Sequence, residues 1–317
     1  MNNEIEKLEA ERKEVYSKTR IKMPLGLILI IVGLVLSLTN TISILGYILL
    51  VIGIILIIIA QGHIKKFSKK YKENVVRALV KDTFGDAAIY NPDGMVDISS
   101  VLHPGFFRKP DRYHGEDYIK SSYDDVLFEM SDVTLEERIE TTDSKGHRIV
   151  TYRPYFNGRF FIFDFNKDMN KTLYILPGKQ KRNNLVKFET ESIAFNKKYS
   201  ALAEFQEDGF YILTPKMIDR ILALSELYRG QQFYAFLGGK LYVAINNVNS
   251  LEVNVRMPLN NETLKKTRGD LNIAPAIINE FGLNKSKFTN EKEIEPETSK
   301  AKDDIDEILD KIDEKVD

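Results

Sequence analysis

The chain has no cysteine and no tryptophan. The missing cysteine excludes disulfides, thiol nucleophiles and zinc sites built on thiolates. Net charge is nearly absent as well. The chain's 45 Lys and Arg against 46 Asp and Glu leave −1 over 317 residues, which argues against a generally nucleic-acid-binding protein while leaving room for local basic patches. Histidine is scarce, with only His63, His103, His114 and His147. No Gly-x-Ser-x-Gly elbow, Walker loop or dinucleotide fingerprint occurs, and no cofactor is expected.

Charge is missing altogether from the run 23–60, which contains no Asp, Glu, Lys, Arg or His. The polar cluster Ser37-Leu38-Thr39-Asn40-Thr41 splits it into two apolar arms. At ~1.5 Å per residue the second arm, 41–60, spans ~30 Å, the thickness of a hydrocarbon core. Lys22 can snorkel to complete the shorter first arm. Neither arm carries a polar stripe, so the pair reads as a transmembrane helical hairpin over 21–63. A cleavable signal peptide fits poorly. A charged lead of about twenty residues precedes the first arm, no Ala-x-Ala site follows it, and a second apolar arm comes at once.

Glycines mark the contact between the arms. Gly26 and Gly33 lie seven apart, as do Gly46 and Gly53, so each pair shares a helix face. About a turn centred between Thr39 and Asn40, Gly33 pairs in depth with Gly46, and Gly26 with Gly53. Small residues at matched depths let antiparallel backbones approach, which lipid alone does not drive. Lys18, Arg20 and Lys22 precede the hairpin; Lys65, Lys66, Lys69, Lys70, Lys72, Arg77 and Lys81 follow it. Positive flanks place both termini in the cytoplasm and the uncharged turn on the outer side. The lysines at 65, 66, 69, 70 and 72 are expected on anionic lipid, at ~1 kcal/mol per near-surface charge.

Residues 1–20 read as a solvated cytoplasmic helix, and 64–84 as a further helix ended by Gly85. Residues 91–120 read as irregular, punctuated by proline and glycine. Hairpins are expected at 125–139 with 148–156, and at 160–165 with 172–176. Shorter strands are expected at 186–190 and 200–205. A helix capped by Thr214-Pro215 follows. Gly238-Gly239 then supplies a tight turn between 233–237 and 240–245, with Tyr234, Phe236, Leu241, Val243 and Ile245 on one face. A helix around 261–281 closes the domain. The fold class is α+β: a cytoplasmic domain over 64–290 with a mainly antiparallel sheet and flanking helices. Residues 291–317 carry 12 acidic against 5 basic residues. The charge favours a frayed tail, whereas Ile305, Ile308, Leu309 and Ile312 form an apolar stripe suited to docking on a partner or on the chain's own basic juxtamembrane segment.

Candidates for chemistry are few. His114, Glu116 and Asp117, with His103 nearby, offer acid–base groups, yet their spacing matches no zinc pattern such as His-Glu-x-x-His. Asp164-x-Asn166-x-Asp168-x-Asn170 resembles the opening of a calcium loop. Met169 stands where glycine is required and Ile175 where the closing acid is required, so a turn explains it better.

Several strings in order resemble a known family. They are the hairpin, then Gly115-Glu116-Asp117-Tyr118, then Phe156-Asn157-Gly158-Arg159-Phe160-Phe161-Ile162-Phe163-Asp164-Phe165-Asn166-Lys167, then Ile212-Leu213-Thr214-Pro215-Lys216-Met217, then Leu241-Tyr242-Val243-Ala244-Ile245. Together, over roughly 20–260, they resemble an uncharacterised bacterial family of membrane-anchored proteins, the domain of unknown function numbered thirty-one thirty-seven. Its members are often encoded beside LemA-type membrane proteins, which implies a role in the envelope. The family has no established catalytic residues to carry over. Around 204–209 the chain departs from the family pattern of an Asp followed by a small residue, and the acidic tail looks like an addition. The leading expectation is a non-enzymatic anchored protein that engages membrane lipid and a protein partner or its own copies, with no nucleic acid. Two alternatives are a membrane-surface hydrolase using residues 103–125 and a lipid-contacting module using the basic stretch after the anchor.

Overall fold

The computed structural model describes residues 2–39, 42–165, 171–228, 230–248, 251–285 and 288. The stripe at Ile305, Ile308, Leu309 and Ile312 and residues 166–170 of the calcium-like string lie outside these.

Helix α1 (Asn2–Ser37) joins the polar lead and the first apolar arm in one piece and carries through Pro24. Helix α2 (Ser43–Tyr71) runs into a five-residue π-helical turn (Lys72–Val76) and then α3 (Arg77–Phe84). The result is an unbroken rod from Ser43 to Phe84, ended by Gly85 at φ 86°. Both α1 and this rod are long and apolar enough to cross a membrane. Where they cross, a Cβ on Gly33 would lie 2.7 Å from the Gly46 carbonyl, and one on Gly53 2.7 Å from the Gly26 carbonyl. The backbones touch because no side chain stands between them.

The lead of α1 is not the solvated helix expected of residues 1–20. Leu8, Arg12 and Thr19 are buried. Arg12 Nη1 donates to the Val255 carbonyl at 2.6 Å, and Glu9 accepts from the Leu259 amide at 2.9 Å. Leu8 and Val15 fall on one face, two turns apart, and that face docks on the loop 251–259 and the rod.

Among the described residues nine strands form one antiparallel sheet: β1 (Ile89–Asn91), β2 (Arg112–Tyr123), β3 (Val126–Thr142), β4 (Arg148–Asp164), β5 (Leu173–Pro177), β6 (Val186–Phe188), β7 (Tyr199–Ala203), β8 (Gln232–Leu237) and β9 (Lys240–Asn246). Their order is β1-β2-β3-β4-β9-β8-β5-β7-β6. The chain is therefore α+β, two apolar helices followed by an antiparallel sheet with flanking helices. Both edge strands are three residues long, which limits edge-to-edge association. Gly238 and Gly239, at φ 53° and 75°, turn β8 into β9.

Two expectations need correction. The segments 160–165 and 172–176 are not hairpin partners, because β9 and β8 are inserted between β4 and β5. The Gly-Gly hairpin is apolar on both faces, and only a central place in the sheet covers both. Residues 91–120 are not irregular throughout: α4 (Ile98–Leu102) lies in this stretch and its last third belongs to β2. Gly115 reads as punctuation but is a strand glycine, where a Cβ would lie 2.6 Å from Met95 and 2.7 Å from the Asp132 carbonyl.

One face of the sheet packs on the rod through Phe67, Val76, Leu79 and Val80, and on the later helices. These helices are α5 (Ile193–Lys198), α6 (Gln206–Ile212), α7 (Pro215–Leu227), α8 (Asn261–Leu271) and α9 (Ile273–Phe281). Thr214 caps α7, accepting from the Met217 amide, with Pro215 at the first helical position. The single helix expected around 261–281 breaks at Asn272, and Pro275 sits in the first turn of α9. The other face is covered by Val96, Val101, Phe106 and Phe107 packed on Phe156, Phe160 and Tyr242.

Candidate functional site

The rod meets the sheet through charge. Lys72 opens the π turn and is buried, with its ammonium 2.8 Å from Glu116, 2.8 Å from Asp117 and 2.7 Å from Glu252. Glu116 and Asp117 are neighbours in a strand and would normally face opposite sides. A bulge between Glu116 and Ile119 turns both toward the rod, and Asp117 takes φ 59°. Tyr90 donates to the other oxygen of Asp117 at 2.6 Å. The three carboxylates stand close enough to share one cation, and the Lys72 ammonium is that cation.

Electrostatics follow from burial. Burial alone would lower the Lys72 pKa; the charge of Asp117 and the hydrogen bonds of all three acids outweigh it, so Lys72 is held protonated. The Asp117 carboxyl is pushed up to about 6, mainly by burial, since it is the most enclosed of the three and its cation is shared. Tyr90 is likewise pushed up by burial and by Asp117.

A second buried pair lies in the same row of the sheet. Asp132 is the cross-strand partner of Glu116 on one side and of Arg159 on the other. Arg159 Nε and Nη2 donate to the two oxygens of Asp132 at 2.6 and 2.9 Å, and Nη1 reaches the Asp270 carbonyl at 3.3 Å. The Arg159 side chain is 1% exposed. Burial opposes its charge, and Asp132 more than restores it. The row ends at Gln232, which accepts from Tyr234 at 2.6 Å and donates to the Leu224 and Tyr228 carbonyls.

A different kind of surface lies at the far edge of the sheet. Thr190, Ser192, Phe210, Leu213, Pro215 and Ile218 line an open groove of about 400 Å³. Phe210 packs edge-on against Phe188 yet stays half exposed, and Ile193 beside the groove is 73% exposed.

The residues singled out in the sequence are dispersed. Glu116 and Asp117 come together, but on Lys72. His114 is exposed and faces Glu136 at 3.6 Å, and His103 lies tilted against Tyr242 on the opposite face, ring centroids 5.5 Å apart. Lys72 is not at a lipid surface: it lies twelve residues beyond Ala60 and its three acids hold it inside. Lys69 reaches Asp93 at 3.4 Å and Lys70 reaches Glu11 at 2.6 Å, roughly 14–15 Å along the helix from Ala60. Lys65 and Lys66 are exposed, roughly 7–9 Å along. Sequence reading missed Tyr90, Asp132, Arg159 and Glu252. Arg159 was detectable, since it shares strand parity with Phe161, Phe163 and Phe165, and an arginine on an apolar face needs a buried acid.

Residues 154–283 match the model of a family described as "Protein of unknown function (DUF3137)". That segment contains the strings beginning at Phe156, Ile212 and Leu241, and there the resemblance holds; the hairpin and the Gly115 string lie upstream of it. No curated protein matches the chain. Among solved structures, the crystal structure of the mycobacterial trehalose monomycolate transport factor A, TtfA, is similar over 62% of this chain and 91% of that one, at 6% identity and a TM-score of 0.32. So loose a likeness carries no argument about this chain.

Proposed function

We propose that the chain is a membrane-anchored binding protein. In this reading α1 and α2 cross the inner membrane of a bacterial cell as a hairpin with both ends in the cytoplasm. The domain presents the groove beside Phe210 to a protein partner or a second copy. Anchoring is supported by the inside-out pattern of the hairpin: Ile28, Leu34, Ile44, Ile58 and their neighbours point outward while glycines fill the interior. A helix pair in water would bury those side chains. The basic residues flanking the hairpin support the orientation.

The exposed groove is the observation that carries the binding half. Large apolar side chains left open around a concavity mark an interaction surface. The acids of the hydrolase alternative, Glu116 and Asp117, are taken up by Lys72, which favours binding. Photo-crosslinking from position 210 in intact cells should give an adduct of discrete mass, lost with Ile193→Asp. Alkaline carbonate should leave the chain in the membrane pellet. A pelleted chain without an adduct removes the binding reading; release by carbonate removes the anchoring reading.

A further inference from the structure

A second cavity, of about 390 Å³, opens where the hairpin leaves its apolar run. Tyr16, Arg20, Met23 and Pro24 of α1, Ile64 of α2 and the loop Glu252–Arg256 line it. Its depth is set by the sequence. Met23 is the first residue of the uncharged run and Ile64 lies four residues past its end, roughly 6 Å along the helix. Its chemistry is divided. Met23, Ile64, Val253 and Val255 give an apolar floor continuous with the surface of the hairpin, and Arg20 and Arg256 stand at the rim. Both arginines are exposed, and neither has an ion-pair partner among the described residues. The one acid in the lining, Glu252, is held by Lys72 at 2.7 Å and by Ser68 at 3.1 Å.

We propose that this cavity binds one anionic phospholipid, with its phosphate between Arg20 and Arg256 and its acyl chains along the floor beside Met23. Arginine suits phosphate through its paired donors. The apolar floor favours a lipid over free phosphate, which would gain nothing from it. The inference rests on the anchored reading above. It differs from diffuse attraction to the basic stretch, because it names two arginines on separate segments around one cavity.

The absence of tryptophan provides the test. Two full-length variants, Asn254→Trp at the rim and Leu27→Trp on the exposed face of the span, are reconstituted in phosphatidylcholine vesicles with a minority of phosphatidylglycerol. Either lipid is brominated in turn as the quencher. Position 27 should be quenched by both lipids. Position 254 should be quenched about threefold or more better by brominated phosphatidylglycerol. Arg20→Gln with Arg256→Gln should level the two; Lys65→Gln with Lys66→Gln and excess inorganic phosphate should leave the preference intact. Equal quenching at 254, protection from both lipids, or a preference that follows the lysines or is reversed by free phosphate would each overturn the lipid site. No quenching at 27 would instead overturn the anchor.

Discussion

In the apolar half of the hairpin, α1 and α2 touch backbone to backbone, Gly33 on Gly46 and Gly26 on Gly53. In the polar half, the continuation of α2 is held to the sheet by Lys72 among three carboxylates, with the Arg159–Asp132 pair one strand further in. The first contact works by absence of side chain and the second by a count of charges. In the anchored reading the hairpin lies in lipid, where bringing two apolar helices together brings no hydrophobic gain, so shape decides and added atoms break the contact. At the junction Lys72, Asp117, Arg159 and Asp132 have already left water, so removing one of a pair leaves its partner charged and enclosed. The two contacts should therefore fail under opposite kinds of substitution.

The driest charge gives the largest effect. Arg159→Leu leaves Asp132 unpaired and should cost about 3–5 kcal/mol in denaturant unfolding of the detergent-solubilised chain, with much of it regained in Arg159→Leu/Asp132→Leu. A full loss in the double variant would contradict the charge-count account. Next is the pH dependence of Lys72's knot. Folded Asp117 keeps its proton up to about pH 6, whereas the unfolded chain releases it near 3.8, so unfolding between these values releases a proton. Stability should fall as pH rises through that window, by roughly 2–3 kcal/mol, and Asp117→Asn should flatten that slope. An unchanged slope in the variant assigns the titration elsewhere. On the apolar side, Gly46→Leu drives a side chain into the backbone of α1 and should cost about 1–3 kcal/mol. Spin labels on Leu34 and Tyr47 should then report a wider hairpin; an unchanged separation would show that the seam is not what holds the helices. The smallest effect has the opposite sign. Gly62 sits in α2 with nothing within 4 Å of its would-be Cβ, so Gly62→Ala should stabilise the helix by about 0.5–1 kcal/mol, seen as slower amide exchange. Destabilisation there would reveal a contact on that face.

These contrasts also separate what could be read in the residues from what could not. The hairpin, its seam of glycines and the Gly-Gly turn depend on local spacing, which a string of letters preserves. The Lys72 junction depends on a bulge in β2, a π turn in the rod and a loop more than a hundred residues away, and none of these leaves a periodic trace. Lys72 thus reads as one more lysine in a basic run, and Glu116 and Asp117 as free acids. The insertion of β8 and β9 beside β4 is equally non-local, and it misleads any pairing by sequence order. The groove at Phe210 is built from α6, α7 and the segment before α5, so its concavity exists only once the sheet is assembled.

Ser43–Phe84 is one continuous helix whose stretch from Phe67 to Val80 packs into the domain core, so no loop separates the hairpin from the sheet's core. In the anchored reading, a neighbour that twists the hairpin within the bilayer would carry the Phe210 groove round with it, so the compass heading of the domain would be set from inside the lipid.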